Sequence, residues 1–349
     1  MATYSHSITE TLDDLNIATK EYMKELVRVV SSDNYLNKRM LSKSESVDGG
    51  DFIKVPLRYG SENFGSMGEY DNISLSPKDV LDEARYHWSH LSGNISLSEK
   101  KMKVQNAGRR RLLNLVKVRM QNLSDTFKDG MSDMMFRATP TDAANDPDSI
   151  YKICADATAV VGGINPATSG LPFNWTPKVI SAGSSVDFND LIAPAGASYI
   201  LKIFRNIVGE LTIGSDKPTL MLTTQPVWDA YEHVLADLKR FDAAYRADGG
   251  FDVLKFRHID VAVDNHVQGG KLDPNAASPT SSYLYCLNED YMGFYHAAGF
   301  KFKNTAWKRA EMQHVYFTEV DWYGGLGVSR RDMQGAVTGL PVDYTTDAS

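Results

Sequence analysis

The strongest constraint on this chain is the order of its first three segments, which have little to bury among themselves. An amphipathic helix leads into a Gly/Ser/Asn-rich strand hairpin, and the hairpin leads into a long helix with a basic flank. Residues 8 to 31 read as the first helix. Ser7 and Glu10 have capping-box spacing, Glu10, Asp13 and Asp14 suit the positive helix start, and Leu12, Leu15, Tyr22, Leu26 and Val29 form one narrow apolar stripe. A narrow stripe suits docking on a partner surface better than burial in a core. Tyr35 to Gly50 is polar and reads as a tether that lets the helix reach away.

Residues 52 to 59 alternate, with Ile53, Val55, Leu57 and Tyr59 on one face and Lys54, Pro56 and Arg58 on the other. Pro56 marks an edge strand. The stretch GSENFGSMGEYDN, which holds Phe64 and Tyr70, reads as a flexible tip. Alternation resumes with Ala84, Tyr86 and Trp88 against Glu83, Arg85 and His87. A two-stranded ribbon needs a surface to lie on, and a neighbouring copy of the chain is the surface expected. A second capping box, Ser96 with Glu99, opens the next helical stretch, and Asn106 and Gly108 break it. Leu112, Val116, Met120, Leu123, Phe127, Met131 and Met134 then carry a helix to about Phe136, about 45 Å long at 1.5 Å per residue.

Net charge is -7, which argues against a protein that coats nucleic acid over its whole surface. The exception is the stretch from Glu99 to Asp129, where Lys100, Lys101, Lys103, Arg109, Arg110, Arg111, Lys117, Arg119 and Lys128 face three acidic residues. Such a cluster suits contact with phosphates without base reading.

Beyond residue 140 strands and helices alternate. An apolar-faced helix is expected over 196 to 209, a buried strand at Thr219 to Thr223, a helix with the stripe Val227, Trp228, Tyr231, Val234, Leu235, Leu238 and Phe241, then strands at His258 to Val267 and Tyr283 to Leu287. Two further strands, Met312 to Val320 and Tyr323 to Ser329, read as a pair. A chain of 349 residues exceeds what one core supports, so two lobes are expected.

Chemistry is sparse. His258, Asp260, Asp264 and His266 would share a strand face, but the outer histidines would lie roughly 26 Å apart, and zinc needs its ligand atoms within about 2.2 Å. VVGGINPATSG and WYGGLGVSRR lack the context of a phosphate or dinucleotide cradle, and no GxSxG elbow occurs. Cys154 and Cys286 have neither CxxC spacing nor a nucleophile motif. No active site, metal site or cofactor site is expected. The polar start MATYSHSITETLDD is not a secretory signal and no run of about 20 apolar residues occurs, so the chain is expected to remain in a reducing cytoplasm.

VPLRYG at Val55 to Gly60, SLSEKKMKVQNAGRRRLLNLVKVRMQNL, TLMLTTQPVWDAYEHVL, GGFDVLKFRHIDVAVD and YGGLGVSRRDMQGAVTGL follow one another in an order that resembles the major capsid proteins of tailed bacteriophages with the Hong Kong 97-type fold. The resemblance implies an α+β fold with an N-terminal arm (1 to 50), an extended hairpin loop (51 to 97), a peripheral domain with the spine helix and long strands (98 to 139 and 286 to 349), and an axial α/β domain (140 to 285). It implies a non-enzymatic coat protein without cofactor or metal, assembling as hexamers and pentamers into an icosahedral head around double-stranded DNA in the host bacterial cytoplasm. Implied partners are other copies of the chain, a separate scaffolding protein, a portal and a decoration protein, with no membrane. Inter-subunit contact is expected at Leu12, Leu15, Tyr22, Leu26, Val29, Arg58, Tyr59, Phe64, Tyr70, Arg85, Tyr86 and Trp88, and DNA contact at Lys101, Lys103, Arg109, Arg110 and Arg111. The tip has no lysine for the covalent cross-linking known in some members. An encapsulin-like nanocompartment shell is the rival with the same fold, and a metal-dependent hydrolase using residues 258 to 266 is the rival from another class.

Overall fold

The computed structural model describes residues 35–60, 62–69, 72, 76, 80–102, 109–139, 145–168, 171, 173–183, 188–192, 199–237, 245–248, 251–275 and 281–344. In chain order the elements are α1 (Tyr35–Ser42), β1 (Glu45–Val47), β2 (Ile53–Arg58), β3 (Leu81–Tyr86), β4 (Ser89–Ser98), α2 (Arg109–Phe136), α3 (Ile150–Cys154), β5 (Lys178–Ser181), α4 (Phe188–Leu191), α5 (Tyr199–Leu211), β6 (Leu220–Thr223) and α6 (Gln225–Asp237). Then come β7 (Tyr245–Asp248), β8 (Phe251–Phe256), β9 (Ile259–Val263), β10 (Ser282–Leu287), β11 (Met292–Ala297), β12 (Lys303–Asn304), β13 (Lys308–Arg309), β14 (Val315–Val328) and β15 (Gly335–Leu340).

Two sheets organise these elements. In the six-stranded sheet, β14 pairs with β11, β12, β13 and β4, and β1 adds in parallel on β11. Tyr316, Thr318, Val320 and Trp322 of β14 point inward together, and β4 runs antiparallel beside them from Ser89 opposite Gly324 to Ser98 opposite Val315. The spine helix α2 lies on that inward face, burying Val116, Met120, Leu123, Phe127, Met131 and Met135 at helical spacing. Gly93 lets it approach, because a Cβ there would come within 2.4 Å of the Phe127 ring and 2.7 Å of Leu123. Gly93→Val should therefore push the helix off the sheet, costing about 1–3 kcal/mol as overpacking usually does. A thermal melt would show it, and an unchanged midpoint would mean the two side chains swing aside freely.

The seven-stranded sheet runs β5-β15-β10-β6-β9-β8-β7. One face carries α5, with Ile200, Ile203, Phe204, Ile207 and Val208 buried, and α6, with Val227, Tyr231 and Val234 buried. The other face shares a core with α1, the spine helix and the six-stranded sheet. All four residues of β6 are therefore buried.

The chain crosses between the sheets at the β10–β11 turn and again at the β14–β15 connection. Gln334 ties the crossings together, its Oε1 accepting from the Asn288 amide at 2.9 Å and its Nε2 donating to the Asn288 carbonyl at 3.0 Å. Beside them Arg331 is fully buried and donates only to carbonyls: Nε to Ile153 (3.0 Å), Nη1 to Ala159 (2.8 Å) and Trp175 (3.2 Å), Nη2 to Lys152 (2.8 Å) and Asp156 (2.5 Å). Lys152 and Ile153 sit in the last turn of α3, whose carbonyls lack helical partners, so the guanidinium caps a helix end of matching polarity. Burial lowers its pKa from the usual arginine value.

Several expectations change. Tyr35 to Gly50 is no tether: Tyr35, Leu36, Asn37, Met40 and Leu41 are buried in α1, and β1 joins a sheet. The paired strands at Met312 to Ser329 are one continuous strand, because the inward parity of Val320 and Trp322 runs through Asp321 without a turn residue. Ser96 is no helix cap, since it pairs with Phe317 inside β4; Ser98 takes that place, its Oγ accepting from the Lys101 amide at 3.3 Å. The strand at His258 is shorter than expected. It ends at Val263, and Asp264 and His266 lie in the turn beyond, so the four polar residues do not share a strand face.

Candidate assembly surfaces

The hairpin forms as expected, with β2 and β3 antiparallel from Ile53 opposite Tyr86 to Arg58 opposite Leu81. Its apolar face is covered by its own chain. Ile53, Val55, Leu57, Ala84 and Tyr86 are each 3% exposed or less, and the Tyr86 hydroxyl donates to the Val328 carbonyl (2.8 Å) and accepts from the Val328 amide (3.1 Å). Tyr86 thus corrects the expectation that it meets a neighbour: it is spent on pinning the hairpin root to β14, and burial drives its pKa well up. Tyr86→Phe should cost about 1–3 kcal/mol, because the amide and the carbonyl of buried Val328 both lose their partner. Urea denaturation checks this, and a loss below 0.5 kcal/mol, within the usual scatter of about ±0.5 for harmless substitutions, would show that the hydroxyl is dispensable.

Trp88 is half-buried and its indole Nε1 donates to the Gly50 carbonyl at 2.7 Å. Tyr59 is half-buried with its ring 5.0 Å from that of Phe173. Both lean on their own chain. Arg58 and Arg85 face outward, and Arg85 pairs with Glu83 at 2.5 Å. Hydrogen bonds from Arg85 and then Lys54 hold the Glu83 carboxyl below its usual pKa. Lys54, Pro56, Leu81, Asp82 and Glu83 line an open groove of about 400 Å³ on this outer face. Towards the tip, Phe64 is fully exposed, and Met67 and Leu81 are at least half exposed. The turn before β14 presents Met312, equally bare, which sequence reasoning passed over. An isolated apolar side chain in a polar loop was its only signal.

The expected DNA-facing residues are partly visible. Lys101 is exposed, and Arg109, Arg110 and Arg111 form the first turn of the spine helix, which holds no acidic residue. Leu12, Leu15, Tyr22, Leu26, Val29, Tyr70 and Lys103 lie outside the described residues, as do the side chains of Arg109, Arg110 and Arg111.

Among the described residues no three His, Cys, Asp or Glu side chains converge to hold a metal ion. Cys154 and Cys286 are free, buried thiols whose pKa burial raises well above the ordinary value, so neither is poised as a thiolate. No helix among the described residues is long and apolar enough to cross a membrane.

No protein-family model matches the chain, and neither does any curated protein. Solved structures do. The capsid of an empty GTA particle covers 86% of this chain and 89% of its own at 11% identity, with a TM-score of 0.54. The capsid of Myoviridae phage XM1 covers 84% and 87% at 11% identity and a TM-score of 0.52. The holo-SrpI encapsulin complex of Synechococcus elongatus PCC 7942 covers 87% and 88% at 8% identity and a TM-score of 0.50. With the hairpin, spine helix and two joined sheets already in place, these matches show that the chain has the Hong Kong 97-type fold, the fold of phage capsid shells that encapsulins share.

Proposed function

We propose that the chain is the major capsid protein of a tailed phage, assembling as hexamers and pentamers into a closed icosahedral head around double-stranded DNA. The observation that carries this reading is a fold shared with capsid proteins over most of both chains, and the fully exposed Phe64 at the hairpin tip supports it. Because the hairpin root is internal, inter-subunit contact falls to Phe64, Met67, Leu81 and the outward Arg58 and Arg85, with Tyr59 and Trp88 bracing them. Each such contact is modest after association costs, and closure of identical rings makes the sum strong.

The domain division expected from sequence is proposed with three refinements: Ser89–Ser98 pairs along β14 and goes with the peripheral domain, residues 35–47 join the six-stranded sheet through β1, and Gly335–Leu340 pairs with β5 and β10 and goes with the axial domain. The basic start of the spine helix is proposed to face packaged DNA. Arg109, Arg110 and Arg111 sit at the positive end of a helix dipole, where cations are unfavourable, so helix stability does not account for them. Phosphate contact does, without sequence preference. A scaffolding protein, a portal and a decoration protein complete the proposed partners, and the virion is the proposed location.

The encapsulin likeness favours a second reading, a nanocompartment shell loaded with protein. Electron microscopy of the purified protein, expressed with and without its neighbouring genes, tests both. Uniform closed shells or capsomer rings support shell formation; nucleic acid inside filled particles selects the phage head and protein cargo selects the nanocompartment. A monodisperse monomer or dimer under every condition overturns both.

A further inference from the structure

The segment read as a tether ends up bolting the two sheets together, and one arginine does most of the bolting. From α1, Arg39 grips both carboxylate oxygens of Glu289, Nε to Oε1 at 2.7 Å and Nη2 to Oε2 at 2.5 Å, while Nη1 reaches Asp260 at 2.6 Å. Asp260 belongs to β9 in the seven-stranded sheet. Glu289 sits in the β10–β11 turn, where the chain passes to the six-stranded sheet. The Glu289 side chain is fully buried, and Thr219 also donates to it at 2.9 Å. Tyr35 donates to Asp260 and accepts from Arg39. Lys43 and Lys255 flank the two carboxylates at 3.7 Å and 3.4 Å. Burial works against the Arg39 charge, but the hydrogen bonds and charge of Glu289 outweigh it and raise the pKa.

The same segment is fastened at three other places. Asn37 donates to Ser132 on the spine helix at 3.0 Å. Lys301 donates to the Leu41 carbonyl at 3.1 Å and to Ser44 at 2.7 Å. β1 then lies parallel on β11, and the Ala298 amide donates to Val47 at 3.1 Å. These 13 residues, 35–47, thus touch the spine helix, both sheets and the crossover between them. The bidentate pair meets the crossover turn with charge on both sides and the exacting geometry of a fork.

We propose that residues 35–47 are an ion-locked strap, in which the Arg39–Glu289 pair fixes the β10–β11 crossover and thereby the angle between the two sheets. The lock is a conformational device of the folded chain itself and stands whether or not the chain builds a shell. Its outer half is the less enclosed: Lys43, Glu45 and Ser46 are exposed, and the three residues of β1 pair with β11 at the strap's end.

Hydrogen–deuterium exchange of the full chain tests the lock. Arg39→Met should speed exchange about tenfold or more in the strap, at Ala298 and in the 288–291 turn, while the centre of β10 keeps its protection. Arg39→Met with Glu289→Leu removes the stranded charge, so the melting temperature should recover, yet exchange at the crossover should stay fast. Arg39→Lys, which keeps one contact and loses the fork, should fall between wild type and Arg39→Met and covers the case in which Arg39→Met does not fold. Unchanged exchange in the strap of the single variants would overturn the proposal. So would a double variant that regains crossover protection together with stability, since apolar packing alone would then hold the angle.

Discussion

Replacing Arg331 with methionine is expected to destabilise the chain by several kcal/mol, since each buried acceptor left without a donor costs about 1–3 kcal/mol. Global stabilities of such domains are about 5–15 kcal/mol, so the variant would be left marginal, and its urea midpoint should fall steeply. Five carbonyls, those of Lys152, Ile153, Asp156, Ala159 and Trp175, lose their donor together. Methionine fills volume but satisfies none of them. Arg331→Lys should be nearly as damaging, because an ammonium offers three donors from one point where a guanidinium offers five spread across a plane. A lysine variant with wild-type stability would show that charge in the pocket suffices and that the fork is irrelevant.

The second large effect concerns assembly. Phe64→Asp combined with Met67→Asp should leave the melting temperature of the unassembled chain essentially unchanged, since both side chains are exposed and the harmless surface range is about ±0.5 kcal/mol. Closed particles should nevertheless be lost, because each subunit would bring two carboxylates to every place where an apolar tip is meant to be buried. Size-exclusion chromatography and electron microscopy on the same preparation read both quantities. Intact shells from this double variant would remove the tip from the proposed contacts and leave Met312 and the outer face of the hairpin as the surfaces to change next.

Sequence periodicity carried the elements whose signal lies within a short window. Leu123, Phe127 and Met131 announced the spine helix, and Ile53, Val55 and Leu57 announced the strand of the hairpin. Periodicity could state which residues share a face but not which body covers that face, so Tyr86 was assigned to a neighbour when its partner is Val328 of the same chain. Long-range partnerships were invisible for the same reason. YLNKRMLS reads as polar because the groups that satisfy Arg39 lie 221 and 250 residues further on. SHLSGNISLS has the serine and glycine content of a loop, and becomes a strand only because β14 supplies a ten-residue edge for it. Arg331 offered no pattern at all, since a residue that binds only carbonyls leaves no trace in the types of its partners.

The pairing of β4 with β14 and of Arg39 with Glu289 has a consequence in time. Neither can form until the ribosome has made the distant partner, and at about 5–20 residues per second the stretch from Arg39 to Glu289 takes roughly 12–50 s to emerge. During that interval the hairpin root has no β14 to rest on and the β4 edge is open. A prematurely terminated product lacking residues 315–328 would have neither the sheet that receives its hairpin nor the Val328 peptide that pins Tyr86. Synthesis of β14 is in this sense the checkpoint: only a chain carried through to residue 328 can seat its hairpin root and close its β4 edge.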